Sequence, residues 1–183
     1  TPEWKDAYEA GIFTEFMEQR GPGHTVGSVK IYEKGFLDYK EDIQNAIDKL
    51  DFMNDTEAFD KKNELEGMKL ACDAIMILGE RYAAYARELA AKEGDAGRRE
   101  ELLQIAANCD VVPAHKPKTY WQAIQMYWFV HLGVTSELNP WDAYSPGRLD
   151  QHLNPFYEKD VESGILDDDR ALELLECLWV KFN

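Results

Sequence analysis

The sequence predicts a mainly helical fold with a few short strands. Apolar residues recur every three or four positions through most of the 183 residues, which is the period of an amphipathic helix. Glycine and proline cluster at a small number of breaks between these periodic segments. Only two short stretches, at 24–32 and from Val134, favour an extended chain. With 45% hydrophobic residues, the chain can form one domain with a real core or a piece of a larger protein.

The first half of the chain is predicted to form four helices. The first runs from Pro2 to Gln19 and ends at a Gly-Pro-Gly break at 21–23, before the extended stretch 24–32. A helix over about 37–50 follows, and the longest covers about 56–92. After a Glu-Gly-Asp break, another covers 98–108. The predicted inward stripe of the longest helix is Leu65, Met68, Cys72, Ile75, Met76, Tyr82 and Leu89.

The second half is predicted to contain three helices and one strand. A capping box of Thr119 and Gln122 opens a helix that is apolar on nearly all sides, and Gly133 is expected to end it. A strand from Val134 then leads into a loop. The next helix follows Leu149, is bent or begun by Pro155, and ends at 163–164. Asp167 caps the last helix, which runs through Trp179. Since the pattern ends within a helix, residues 1–183 are expected to be a single segment of a longer polypeptide.

The charge and the cysteines restrict the function classes. The net charge of −15, from 35 acidic and 20 basic residues, disfavours nucleic acid and anionic membranes as partners. Cys72, Cys109 and Cys177 lack metal-type spacing and are expected to be small buried thiols in a reducing cytosol. No apolar run is long enough to cross a bilayer, and no signal peptide is visible.

The stretch EFMEQRGPGHTV, residues 15–26, presents one guanidinium and one imidazole beside a helix break. His24 can give or take a proton near neutral pH, and Arg20 can hold an anion or a hydroxyl oxygen. Side chains on such a break are often aimed at a ligand rather than packed. The alternative is a plain helix C-cap in which the histidine bonds a carbonyl.

A second candidate lies in WDAYSPGRLDQ, residues 141–151, where Asp142 and its neighbour Trp141 could face substrate hydroxyls. The alternative is a helix-initiating turn with Asp142 and Asp150 as caps and Arg148 paired locally. The other histidines, His115, His131 and His152, stand alone and are expected to be ordinary core or surface residues. No phosphate-binding loop, His-x-x-x-His pair or nucleophile elbow is present in the sequence.

Four stretches together resemble the glycyl radical enzymes of the pyruvate formate-lyase family. They are RGPGHTV, VPAHKPKTYWQAIQMYWFVHLGV, SPGRLDQHLNPFYEKDVESGIL and ALELLECLWVKFN. The resemblance is to the branch that contains glycerol and propanediol dehydratases and sulfonate lyases. It implies that the chain is part of a ten-stranded α/β barrel wrapped in helices. The family's Cys-x-Glu loop and glycyl radical loop are not among these 183 residues, so the chain alone is expected to be inactive.

The resemblance also implies roles for particular residues. The histidine of the Gly-His-Thr run, here His24, faces the substrate as an acid or base, and Phe16 lines the same pocket. The segment before Ser-Pro-Gly-Arg lines that cavity too, which points to Asp142 and Trp141. In isethionate lyases glutamine replaces this histidine, and an arginine four residues earlier holds the sulfonate. This chain has both Arg20 and His24, which argues against isethionate and leaves a three-carbon hydroxysulfonate open.

The expected activity of the full-length protein is therefore radical dehydration of a small 1,2-diol such as glycerol or propane-1,2-diol. One alternative is C–S cleavage of a hydroxyalkylsulfonate such as 2,3-dihydroxypropanesulfonate, and another is a non-catalytic helical scaffold. The resemblance further implies no cofactor bound in this segment, a glycyl radical elsewhere in the protein and a radical S-adenosylmethionine activating enzyme as partner. It implies a homodimer in the cytoplasm of an anaerobic bacterium, with a bacterial microcompartment as an alternative location.

Overall fold

Helices form nearly all of the regular structure in the part of the chain that the computed structural model describes, residues 1–12, 26–137 and 145–182. The described helices are α1 (Pro2–Glu9), α2 (Lys30–Glu33), α3 (Phe36–Asp48), α4 (Ala58–Lys92), α5 (Ala96–Val111), α6 (Tyr120–Glu137), α7 (Leu149–Glu162) and α8 (Asp168–Lys181). The expected short strands are wrong for these residues, where β structure is limited to a single bridge residue, Ser145. The ten-stranded barrel that the resemblance implies is therefore not visible in the described residues.

Helix α6 lies at the centre of the core, as its apolar composition predicts. Met126, Tyr127 and Phe129 are among the largest fully buried side chains in the described residues. α6 contacts α2, α4, α5, α7 and α8. Because α6 contacts five other helices, it forms the centre of the packing in the described part of the chain.

The long helix α4 packs against α5 and α3 through a stripe of mostly small residues. The buried positions of α4 are Ala58, Cys72, Ile75, Gly79, Ala83, Ala86 and Ala90. The predicted inward stripe is therefore only partly right, since Met68, Tyr82 and Leu89 are exposed in this chain. Small side chains let the backbones of α4 and α5 approach closely, and a stripe of alanines carries a weaker apolar signal in the sequence than leucine or methionine does.

Helix α6 continues past Gly133, where the sequence predicted its end. A Cβ atom at Gly133 would lie 2.8 Å from Cδ1 of Ile75 on α4. The glycine therefore serves the packing of α6 against α4 rather than helix termination. Consequently the predicted strand from Val134 is wrong as far as Glu137, which is the last residue of α6.

Two further predictions near the N-terminus also need correction. Helix α1 ends at Glu9, because Ala10 and Gly11 form a turn in which Gly11 has a φ of 71°, and the rest of the predicted helix, residues 13–19, lies outside the described part of the chain. The predicted extended stretch is wrong for its described part, residues 26–32, which form bends, a turn and the start of helix α2.

Most of the predicted caps are confirmed. The Thr119 side chain accepts a hydrogen bond from the Gln122 N–H, and the Gln122 side chain accepts one from Lys118 N–H. Asp167 accepts from the Arg170 N–H at 2.7 Å and begins α8. α7 begins at Leu149, contains Pro155 in its interior, and ends at Glu162, with Ser163 as its C-cap, next to the predicted end at 163–164.

The cysteine prediction is right for two of three residues. Cys72 and Cys109 are buried free thiols, whereas Cys177 is exposed on α8. Burial raises the pKa of Cys109 to about 11, so this thiol stays protonated at neutral pH. None of the described helices is both long enough and apolar enough to span a membrane.

Candidate active site

All five candidate site residues lie outside the described part of the chain. Phe16, Arg20 and His24 belong to residues 13–25, here called the first candidate segment, and Trp141 and Asp142 belong to residues 138–144, the second candidate segment. The roles of these five residues remain predictions. What the structure defines is the pair of residues at which the two segments end.

Those two residues are hydrogen-bonded to each other. The N–H of Val26, which follows the first candidate segment, donates to the carbonyl oxygen of Ser145, which follows the second, at 3.0 Å. Val26 is only 5% exposed and belongs to the main hydrophobic core. Apolar packing therefore holds Val26 in place, and the backbone hydrogen bond ties Ser145 to it. This hydrogen-bonded pair is here called the junction.

A tight turn follows Val26 and directs the chain into α2. Gly27 and Ser28 both adopt positive φ, 68° and 50°. A Cβ atom at Gly27 would lie 2.2 Å from Cγ2 of Ile31. Glycine is thus required at position 27 both for its backbone conformation and for the close approach of Ile31.

A second tight turn follows Ser145 and begins α7. The Gly147 N–H donates to Oγ of Ser145 at 3.0 Å, and Gly147 has a φ of 68°. Arg148 donates two hydrogen bonds to Asp150, at 3.0 and 2.8 Å, and this pairing lowers the pKa of Asp150 to about 2. The local pairing of Arg148 is confirmed. Asp150 lies in the first turn of α7 rather than at its N-cap, which is Arg148.

An aromatic contact joins α2 and α7, the two helices that follow Val26 and Ser145 along the chain. The ring of Tyr32 on α2 lies 5.4 Å from the ring of His152 and 6.1 Å from that of Phe156, both on α7. Tyr32 is 6% exposed. No pattern in the sequence pointed to this pair, because the two residues lie far apart in the chain and His152 stands in an ordinary helical pattern.

The remaining histidines have separate environments. His131 on α6 shares a hydrogen bond of 3.1 Å with the Tyr127 hydroxyl and stacks on Trp128, and burial lowers its pKa. His115 is exposed and lines an open cleft of about 610 Å³ with Lys116, Lys118 and acidic residues of α3. That cleft includes neither Val26 nor Ser145, so it is distinct from the junction.

Within the described ranges, no three histidine, cysteine or acidic side chains form a group that could hold a metal ion.

Comparisons with known proteins agree with this architecture. The profile of the family described as Pyruvate formate lyase-like matches residues 1–183. The chain is 69% identical over all 183 residues to trans-4-hydroxy-L-proline dehydratase of Clostridioides difficile, and it spans 23% of that protein's length. It is 40% identical over 151 residues to the isethionate sulfite-lyase of Nitratidesulfovibrio vulgaris, covering 82% of this chain and 18% of that protein.

Solved structures give the same result. The crystal structure of hydroxyproline dehydratase from Clostridioides difficile, with substrate trans-4-hydroxy-L-proline bound, superposes with a TM-score of 0.86 at 69% identity over 100% of this chain and 23% of that chain. A structure on 1,2-propanediol dehydration in Roseburia inulinivorans gives a TM-score of 0.81 at 37% identity, covering 88% of this chain and 20% of that one.

The chain belongs to the pyruvate formate lyase-like family. Its relatives are glycyl radical dehydratases and lyases, as the resemblance implied, and it spans less than a quarter of the length of the relatives it matches.

Proposed function

We propose that the full-length protein is a glycyl radical dehydratase whose substrate is trans-4-hydroxy-L-proline. The observation that carries the proposal is the 69% identity to the Clostridioides difficile dehydratase, which extends over all 183 residues and therefore over both candidate segments. The family resemblance alone favoured a 1,2-diol as substrate. Hydroxyproline keeps the relevant chemistry, because its hydroxyl-bearing carbon is bonded to a carbon that carries the ring nitrogen, as in a vicinal amino alcohol.

In this reaction the glycyl radical would initiate the abstraction of a hydrogen atom from the substrate. The residue that stores this radical would lie in parts of the protein outside these 183 residues. His24, as an imidazolium, donates a proton to the departing hydroxide, so that water leaves. Hydroxide is otherwise a poor leaving group, and general acid catalysis contributes about 10²–10⁴-fold to such steps.

The other candidate residues bind the substrate. The planar guanidinium of Arg20 suits the carboxylate of the amino acid, which it can hold through two parallel hydrogen bonds. Asp142 offers a carboxylate to the substrate's ammonium nitrogen or hydroxyl. Phe16 and Trp141 provide apolar walls that keep water away from the reacting carbon.

The junction supports a shared site for these groups. Val26 and Ser145 are joined by a backbone hydrogen bond, His24 stands two residues before Val26, and Asp142 stands three before Ser145. Successive Cα atoms are 3.8 Å apart, so the chain alone limits how far each residue can lie from its end of the junction.

A second candidate function is C–S bond cleavage of a hydroxyalkylsulfonate. It is favoured by the 40% identity to an isethionate sulfite-lyase and by Arg20, which could hold a sulfonate. Sulfite leaves without a proton, however, and this reaction gives His24 no task as an acid. A 1,2-diol remains the third substrate class, because the Roseburia inulinivorans structure concerns propanediol dehydration.

The test is a substrate panel on the full-length protein, activated anaerobically by its activating enzyme. The panel contains trans-4-hydroxy-L-proline, glycerol, propane-1,2-diol, 2,3-dihydroxypropanesulfonate and isethionate, and products are measured by mass spectrometry. We expect kcat/KM to be highest for hydroxyproline. Sulfite release would support the second candidate, and a radical-bearing protein that converts none of the five would refute the proposed substrate classes.

A further inference from the structure

The contact between Tyr32 and His152 contains two buried polar atoms that lack hydrogen-bond partners among the described residues. These atoms are the hydroxyl oxygen of Tyr32 and Nδ1 of His152. A buried polar atom without a partner costs about 1–3 kcal/mol. Phenylalanine and leucine would fill the same space without that cost, so apolar packing alone does not account for these two residues.

The position of the pair relates it to both candidate segments. Tyr32 lies on α2, which follows Val26, and His152 lies on α7, which follows Ser145. Their ring contact of 5.4 Å is thus a second connection between the same two stretches of chain that the hydrogen bond from Val26 to Ser145 joins. The hydrogen bond joins the two backbones, and the ring contact joins α2 to α7.

The hydroxyl of Tyr32 is suited to donate a hydrogen bond. Burial, and secondarily the neighbouring Tyr127, raises the pKa of Tyr32, so its proton is retained at any pH at which the protein works. A neutral imidazole offers Nδ1 as a donor or as an acceptor, depending on its tautomer. The two residues can therefore share one small polar group.

We propose that Tyr32 and His152 are positioning residues for the two candidate segments, and that together they bind one small hydrogen-bonding group that accepts from the tyrosine hydroxyl. This group is either an ordered water molecule or a carbonyl oxygen of the remaining polypeptide. The bound group sets the spacing of α2 and α7 and, through the junction, the spacing of the groups that face the substrate. The inference rests on the proposed function for its effect on activity, but not for its structural part.

The functional test compares four variants of the full-length activated protein. Tyr32→Phe removes only the hydroxyl, His152→Leu removes both ring nitrogens, and His152→Asn retains a polar atom near the position of Nδ1. Tyr157→Phe is the matched control, because it removes a hydroxyl that donates to Asp168 on the exposed surface. For each variant, kcat, KM, glycyl radical content and the thermal midpoint are measured.

We expect Tyr32→Phe and His152→Leu to lower kcat/KM about tenfold, the upper range of a single hydrogen bond, with unchanged radical content and a thermal midpoint slightly below that of the wild type, because the bound group loses one hydrogen bond. His152→Asn should restore most of the activity, and Tyr157→Phe should leave it unchanged. A purely structural role predicts otherwise: Tyr32→Phe and His152→Leu with wild-type kcat/KM would overturn the proposal.

A crystal structure of the wild-type full-length protein tests the structural part independently of variant folding and of substrate choice. An acceptor within about 3.2 Å of the Tyr32 hydroxyl would support the proposal, and its identity would distinguish water from a carbonyl. A tyrosine hydroxyl without any acceptor there would overturn it. If the wild type converts no substrate of the panel, the proposed function fails, while this structure still decides the inference.

Discussion

At the scale of single residues, His24 carries the strongest prediction for the proposed reaction. The change His24→Gln keeps a hydrogen-bond donor of similar size but removes a group that can give up a proton near neutral pH. We expect turnover of hydroxyproline to fall at least about 10²-fold, the low end of general acid catalysis. The glycyl radical signal in electron paramagnetic resonance should remain normal, because the radical is stored elsewhere. Near-normal turnover would mean that the imidazole only caps the Gly-Pro-Gly break.

Asp160 gives a prediction about stability. This carboxylate is 1% exposed and accepts a hydrogen bond from the Tyr120 N–H at 2.7 Å, so it caps the buried start of α6 from the neighbouring helix α7. Asp160→Ala should destabilise the protein by about 2–3 kcal/mol, because the N–H of Tyr120 loses its partner in a buried place. Asp167→Ala is the matched control, since Asp167 caps an exposed helix start and should cost about 1 kcal/mol.

Thermal midpoints of the full-length variants, recorded at one scan rate, would check the order of these two effects. A larger loss in Asp167→Ala than in Asp160→Ala would contradict the assignment of Asp160 as the buried cap.

At the scale of elements, substitutions at two glycines of α4, Gly79 and Gly67, distinguish the effect of close packing on stability from the effect of helix propensity. A Cβ atom at Gly79 would lie 2.6 Å from Cδ of Pro113 and 3.3 Å from the carbonyl oxygen of Val112, whereas one at Gly67 would meet nothing within 4 Å. Gly79→Ala should therefore destabilise the protein by about 1–3 kcal/mol through overpacking. Gly67→Ala should be neutral or stabilise it by up to about 1 kcal/mol.

The measurement is again the thermal midpoint of the full-length protein. Equal midpoints for the two variants would show that Pro113 moves aside without cost and that α4 does not need a glycine at position 79.

Most helices could be predicted from the sequence because their signals are local. Asp167 caps α8 through a residue three positions away, and the break at Gly164 needs only its own backbone conformation. The end of α6 could not be predicted in this way. Gly133 is a helix breaker by local rules, and its actual role depends on Ile75, which belongs to another helix.

In the candidate site, too, the features that depend on local sequence could be predicted and those that depend on distant contacts could not. The types of residue in EFMEQRGPGHTV indicate acid–base and anion-binding chemistry, and the family resemblance that assigned roles to them is confirmed at the level of the family. The hydrogen bond from Val26 to Ser145 could not be predicted, because it joins backbones that are distant in the chain. Tyr32 and His152 could not be found either, since a buried unpaired hydroxyl is a property of the packed structure.

At the scale of the whole molecule, the described surface carries apolar side chains that a complete domain would cover. Leu70, Ile77, Leu172 and Val180 are each more than half exposed, with Val180 at 73%. Since the relatives are more than four times as long as this chain, we expect the rest of the protein to cover such positions. Residues 1–183 expressed alone should bind the dye ANS strongly and unfold without a sharp transition, whereas the full-length protein should show neither property.

Light scattering and calorimetry on both proteins provide the comparison. A soluble monomer of residues 1–183 with a single cooperative transition would show that this segment is an independent folding unit.

The tie between Val26 and Ser145 also bears on how one framework could serve several reactions. A hydrogen bond between main-chain atoms makes no demand on side-chain identity, so the residues that precede it on either side are free to be exchanged. A hydroxyproline dehydratase and an isethionate sulfite-lyase match this chain with 69% identity over 183 residues and 40% identity over 151 residues, respectively. A backbone hydrogen bond that stays the same while the residues of the two candidate segments change would allow the substrate and the reaction to change during evolution without a change of fold.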